Sequence, residues 1–101
     1  MRLIDVKPST AKGKKYMAIF CPCDGPSKCK GKKVHFGSST SSVYLDHHDK
    51  TKRENYLKRH SKNNENWNNP TSAGALSRHL LWGDSTSLMM NINAFKKRFA
   101  C

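Results

Sequence analysis

Three cysteines and a histidine lie close together near the start of the chain, in a pattern that could bind a metal. Cys21, Cys23 and Cys29 fall within nine residues and His35 follows six residues later, which gives the spacing C-x-C-x5-C-x5-H. Thiolates and imidazoles are the ligands of tetrahedral zinc. The spacing departs from the usual C-x2-C knuckle, however, and two ligands at positions i and i+2 must leave a strand from the same face.

These cysteines have two alternatives to binding zinc. A disulfide across a hairpin is one alternative to zinc, and unligated thiols are the other. The start of the chain, Met1 to Asp5, lacks the apolar core of a signal peptide, so we expect a reducing compartment. This compartment favours unligated thiols, including the fourth cysteine, Cys101. No cofactor is therefore expected, with zinc as the alternative.

Residue types used in catalysis are present but are not arranged for it. No base and orienting group surround any of the three clustered cysteines. The remaining histidines show neither H-E-x-x-H nor a similar metal spacing, and the serine-rich stretch 37–42 lacks the lysine of a P-loop. We therefore predict a domain that is not an enzyme and has no small-molecule substrate.

Positive charge is the dominant property of the chain. Lysine and arginine outnumber aspartate and glutamate by 19 to 7, for a formal net charge of +12. Such an excess causes self-repulsion in the free protein, and a negatively charged partner would relieve it. The predicted contact residues lie in two clusters: Lys28, Lys30, Lys32 and Lys33, and then Lys50, Lys52, Arg53, Lys58, Arg59 and Lys62.

The second cluster has the clearest need for an external anion. Within it the single acid Glu54 faces six bases, so repulsion along a helix is not offset by pairs at i and i+4. A further group, Lys96, Lys97 and Arg98, is explained by the negative end of a helix dipole. Phosphate contacts from such clusters bind without sequence preference, and no helix-turn-helix, RNA-recognition or zinc-finger pattern is present.

Length and patterning predict one α+β domain over residues 1–101. Residues 1–36 read as about three antiparallel strands, at 2–6, 15–21 and 32–36, with Tyr16, Ala18 and Phe20 on one face of the second. The Gly- and Pro-rich stretch 22–31 predicts a wide hairpin loop. No apolar run reaches the roughly 18 residues that span a bilayer, so we expect a soluble protein without a membrane span.

Three short helices are predicted after the sheet, over residues 49–62, 71–83 and 85–99. Asp49 is suited to cap the first, and Asp84 or Ser85 the third. Gly83 is a suitable stop for the second. Apolar residues recur every three or four positions in the third helix, which predicts a buried face. Trp67, in an asparagine-rich loop, is predicted to fill part of the core.

Several ordered segments resemble an uncharacterised family of small basic proteins encoded by large nucleocytoplasmic DNA viruses. The resemblance runs from about residue 15 to residue 99, and each segment would be weak without the others. The segments are Lys33-Val34-His35-Phe36-Gly37, Tyr56-Leu57-Lys58-Arg59-His60, Asn66-Trp67, Thr71-Ser72-Ala73-Gly74-Ala75-Leu76-Ser77-Arg78, Leu81-Trp82-Gly83 and Ala94-Phe95-Lys96-Lys97-Arg98-Phe99.

The resemblance implies a viral source and synthesis in a reducing host cytoplasm, with no catalytic residues to carry over. A small basic protein in such a virus would bind either the capsid shell or the packaged genome. The apolar third helix and the asparagine-rich loop favour the shell. We therefore expect a minor structural protein of the virion that cements larger coat proteins, its partner being the major capsid protein. Nonspecific binding of nucleic acid, such as the viral DNA, is the alternative.

Overall fold

A computed structural model describes residues 1–26, 29–40, 42–61 and 67–100 and has the predicted α+β architecture. Three antiparallel strands come first: β1 (Arg2–Pro8), β2 (Lys14–Cys21) and β3 (Lys32–Ser38), in the order β1-β2-β3. The order makes β1 and β3 the two edges of the sheet. Lys32 and Lys33, both exposed, lie at the start of the β3 edge. The predicted sheet is thus confirmed, with strands one to two residues longer than expected.

A bulge in β1 decides which of its residues reach the core. Leu3 pairs with Phe20, but the next pair is Asp5 with Ile19, so Ile4 is an extra residue in the strand. Without it Leu3 and Val6 would point to opposite faces, because side chains alternate along a strand. With it both join the face formed by Ala18 and Phe20, and Asp5 turns to solvent.

Helical segments cover one face of the sheet. They are α1 (Tyr44–His47), α2 (Lys50–Ser61), α3 (Ala73–Leu76), which continues as a π-helix (Ser77–Leu81), and α4 (Leu88–Arg98). The π-helix supplies Leu80 and Leu81 to the core, and α4 supplies Phe95. Among the residues described, every helix is too short or too polar to cross a membrane.

The helix boundaries confirm some of the predicted caps and correct others. Asp49 caps α2, since its Oδ1 accepts from the backbone N–H groups of Thr51 and Lys52 at 2.9 and 3.3 Å. The third predicted helix begins later than expected, because Ser87, and not Asp84 or Ser85, accepts from Met90 N–H. The turn α1 was not predicted. It starts where Val43 N–H donates to Asp46 Oδ2 at 3.0 Å.

Contrary to the prediction, Trp67 does not fill the core. It is partly exposed, and its ring lies 5.4 Å from the guanidinium of Arg78, a cation–π arrangement. Its backbone carbonyl accepts from His79 Nε2 at 3.0 Å, so the proton of that neutral imidazole is on Nε2. Burial lowers the pKa of His79. The asparagines before Trp67 lie outside the described residues.

Asn91 on α4 is a buried polar residue that closes the corner between the π-helix and α4. Its Nδ2 donates to the carbonyls of Leu80 at 3.0 Å and Ser85 at 2.8 Å, while its Oδ1 accepts from Ser85 N–H at 3.1 Å. Gly83 packs directly on it, because a Cβ there would lie 2.7 Å from Asn91 Cγ and would also collide with the carbonyl of His79. One side chain therefore satisfies three backbone groups.

Replacement of Asn91 by alanine should lower the free energy of unfolding by at least about 2 kcal/mol, since it leaves buried backbone groups without partners. Urea denaturation provides the measurement. Asn93→Ala, an exposed position on the same helix, is the matched control and should stay within about 0.5 kcal/mol of the parent. Equal losses from the two variants would contradict the role given to Asn91.

Candidate functional site

The predicted basic cluster on α2 is largely displayed to solvent. Lys50, Lys52, Lys58 and Arg59 are all exposed. The ion pairs in the described part of the chain are Lys7 with Asp5, Lys15 with Asp46 and Arg53 with Asp84, so none involves these four cations. The last member of the cluster, Lys62, lies outside the described residues. A short helix therefore presents four positive charges that no carboxylate neutralises within the described structure.

Arg53 belongs to the same cluster by sequence but is turned into the protein. Its Nε donates to the carbonyls of Trp82 at 3.2 Å and Gly83 at 2.9 Å, and its second terminal nitrogen lies 2.7 Å from Asp84 Oδ1. Its guanidinium also lies over the ring of Tyr44, and only 19% of its side chain is exposed. These contacts anchor α2. Contrary to the prediction, Arg53 is therefore not available for an external anion.

The first predicted cluster, Lys28 to Lys33, lies in a different part of the molecule. Lys30, Lys32 and Lys33 are exposed at the hairpin and at the start of β3, and Lys28 lies outside the described residues. The side of β3 that faces α2 is its other end, at Gly37 and Ser38. Five to six residues of strand separate the two places, about 17–20 Å at 3.3 Å per residue. The structure therefore holds two basic regions and does not merge them into one.

Stacked rings attach α2 to the rest of the protein. Tyr56, buried in the middle of α2, stacks on Trp82 with ring centroids 4.3 Å apart and planes 5° apart. His60, one turn later, stacks on the other side of Tyr56 at 4.0 Å. His47 of α1 lies 5.3 Å from Trp82. Because α2 is otherwise so polar, these rings and Arg53 account for its position.

A cavity of about 540 Å³ opens between α2 and the end of β3. One face of α2 forms a wall, with residues spaced three and four apart along the helix. The end of β3, the stretch before α1, and the rings of His47 and Trp82 form the rest. Its lining residues are Gly37, Ser38, Ser42, Val43, His47, Lys52, Asn55, Tyr56, Arg59, His60, Ser77, Leu81 and Trp82.

Gly37 shapes this end of β3. Its φ of +78° lies in the left-handed region, and a Cβ would come within 2.8 Å of Leu81 Cδ1.

Asp46 at the start of α1 has a lowered pKa, mainly because the N–H of Val43 donates to it and also because of Lys15. This stabilising contribution is present above the unfolded pKa of Asp46 and is lost as the pH falls through the folded value. The hydrogen bond from Val43 N–H to Asp46 at the start of α1 is therefore retained at neutral pH.

The structure does not bring together the candidate zinc ligands Cys21, Cys23, Cys29 and His35. Cys21 and Cys29 form a disulfide, with Cα atoms 6.1 Å apart, and no cysteine is free in the part of the chain described. The prediction of reduced thiols is wrong here, because the hairpin brings the end of β2 opposite the residues that precede β3. His35 Nδ1 is instead hydrogen-bonded to Ser9 at 2.8 Å. The described residues contain no group of three His, Cys, Asp or Glu side chains that could hold a metal.

Arg53→Lys should loosen α2, because a lysine cannot reproduce donation from Nε to two carbonyls together with the contact to Asp84. We expect faster amide hydrogen exchange throughout residues 50–61 and a loss of about 1–3 kcal/mol in the free energy of unfolding. Arg59→Lys is the matched control on the same helix, and there exchange should stay as in the parent. If Arg53→Lys leaves exchange in α2 unchanged, Arg53 is not the anchor.

Comparison with known proteins adds a family assignment. A search of curated proteins finds no match. Solved structures also contain no match. A model described as a family of unknown function, DUF5754, matches residues 4–60. The match spans more than half of the chain and includes nearly all of β1, the other two strands, α1, and α2 up to His60. The chain therefore belongs to the DUF5754 family.

Proposed function

We propose that the protein is a non-enzymatic binding protein that holds nucleic acid by its phosphate backbone on the exposed face of α2. One observation carries the proposal: Lys50, Lys52, Lys58 and Arg59 are exposed on a single helix, without a carboxylate partner among the described residues. The family assignment is compatible with this function but does not specify it.

The charge of α2 is costly in the free protein. Lys58 and Arg59 lie in its last turn, where they oppose the negative end of the helix dipole favourably. Lys50 and Lys52 lie at its start, where the dipole disfavours cations, and Asp49 offsets only part of this as a cap. A phosphate backbone along the helix would relieve the repulsion at both ends.

Contacts of this kind give affinity without sequence recognition. Lysine and arginine reach phosphate oxygens regardless of the bases, and binding weakens steeply with salt because counterions are released. The side chains that α2 does bury, Tyr56 and Arg53, are engaged with Trp82 and its neighbours. We therefore expect little discrimination between base sequences.

The charge-neutralised variant Lys50→Gln, Lys52→Gln, Lys58→Gln and Arg59→Gln tests the proposal. Binding of duplex DNA should give a linear plot of log affinity against log salt concentration. The slope should become shallower in the variant by about 0.9 for each of these cations that contacts a phosphate. Fluorescence anisotropy of a labelled duplex over a series of salt concentrations is a suitable measurement.

A control variant carries the same net charge on other surfaces, with the four exposed residues Lys12, Lys14, Lys96 and Lys97 replaced by glutamine. It should retain a slope closer to that of the parent. Equal changes in the two variants would mean that diffuse charge, and not α2, binds DNA. Absence of binding by the parent at low salt would overturn the function itself.

A structural role in a virion is the second candidate, and a different surface favours it. Met89 and Met90 of α4 are 66% and 63% exposed, unusually high for large apolar residues. Beside them, Leu88 and Ile92 line a cavity with Ile4 and Val6 of β1, and the polar residues of its lining are Asp5, Asn93 and Lys96. An exposed apolar patch of this kind suits a contact with a neighbouring protein. Together with the resemblance to proteins of large DNA viruses, it supports a minor component that cements coat proteins.

Particles of a virus that encodes the protein provide the test of this second candidate. After nuclease has removed the genome, the protein should remain with the purified shells, as detected by immunoblotting. Met89→Lys with Met90→Lys should release it, whereas the four substitutions on α2 should not. Loss of the parent protein together with the DNA would refute the cementing role and favour binding to the genome.

A further inference from the structure

The cavity beside α2 has the polar lining of an anion site. Lys52 and Arg59 lie on its α2 wall two helical turns apart, with Asn55 between them. None of the described residues that line it is an aspartate or a glutamate. Serine hydroxyls of Ser38, Ser42 and Ser77 line it as well. The lining therefore offers two cations and several hydrogen-bond donors, with no opposing carboxylate in the part of the chain that the structure describes.

His47 contributes a buried donor that has no acceptor in the described part of the chain. The backbone N–H of Asp49 donates to His47 Nδ1 at 2.9 Å, so Nδ1 is unprotonated and the ring proton is on Nε2. Nε2 is buried and lacks a hydrogen-bond partner among the residues described. Buried N–H groups are nearly always satisfied, and an exception calls for an explanation such as a bound group. His47 forms part of the cavity lining, where a bound anion could supply the acceptor.

We propose that this cavity binds one phosphate group. Lys52 and Arg59 neutralise its charge, Asn55 donates to it, and the imidazole turns slightly so that Nε2–H of His47 donates as well. The tetrahedral oxygens of phosphate can accept from several walls at once. This inference rests on the proposed function, because it places one backbone phosphate of a bound strand in the cavity. A free phosphate compound offers the same chemistry.

The imidazole of His47 provides a direct measurement. We would follow its ring nitrogen resonances by NMR in the full-length protein during titration with inorganic phosphate, with thymidine monophosphate and with a short oligothymidylate. All three should shift the Nε2 resonance of His47 in the same direction and to saturation. Tighter binding of the oligothymidylate would identify a nucleic-acid backbone as the source, and equal affinity with the mononucleotide would identify a free phosphate compound.

A carboxylate introduced into the α2 wall of the cavity tests whether phosphate binds there. Asn55→Asp, at an exposed position of α2, puts a carboxylate between the two cations and should weaken binding of inorganic phosphate by about tenfold or more. Lys97→Gln lowers the net charge by the same amount away from the cavity and should stay within about twofold of the parent. The NMR spectra themselves verify that both variants are folded.

The outcomes separate this site from the proposed function. If oligothymidylate binds to α2 and leaves His47 unperturbed, the cavity is not a phosphate site, whereas the binding function stands. If inorganic phosphate saturates His47 and neither single-stranded nor duplex DNA binds, the cavity site stands and the proposed function fails. Equal weakening by Asn55→Asp and Lys97→Gln would overturn the site, because net charge would then explain the binding.

Discussion

The guanidinium of Arg53 holds the most polar helix of the protein against its body. A helix with so many charges has little apolar surface to bury, so packing by itself cannot position it. Arg53 replaces that packing with donation to the carbonyls of Trp82 and Gly83 and an ion pair with Asp84. The stack of Tyr56 on Trp82 attaches the middle of the same helix. Together these contacts hold α2 as one wall of the cavity, with Lys50, Lys52, Lys58 and Arg59 exposed.

Trp82 and Gly83, whose carbonyls accept hydrogen bonds from Arg53, are themselves tightly constrained. Arg78 donates to the same carbonyl of Trp82 at 3.2 Å, and Asn91 fills the space below Gly83. Burial, and then the neighbouring charge of Arg53, lower the pKa of Arg78. The corner therefore joins α2, the π-helix and α4 through backbone carbonyls. A substitution at Gly83 would disturb all three together.

Local patterns were enough to predict much of the fold and little of the site. Alternation and turn residues identified the sheet, and Asp49 identified the start of α2, because these depend on neighbours in sequence. The sequence prediction treated Arg53 as a surface cation. Nothing in the neighbouring sequence indicates that the carbonyls of Trp82 and Gly83 accept from it. The bulge at Ile4 and the contact of the His47 ring with Trp82 likewise depend on the packed structure.

The lysines at the start of β3 have a consequence for association. An edge strand exposes unpaired backbone groups, and charged side chains on it discourage a second sheet from adding there. Lys32 and Lys33 supply that protection only while their charges are unscreened. A polyanion that neutralised them would leave the β3 edge open to strand addition. The two lysines therefore do more than attract an anion, because they also discourage association between the sheets of free molecules.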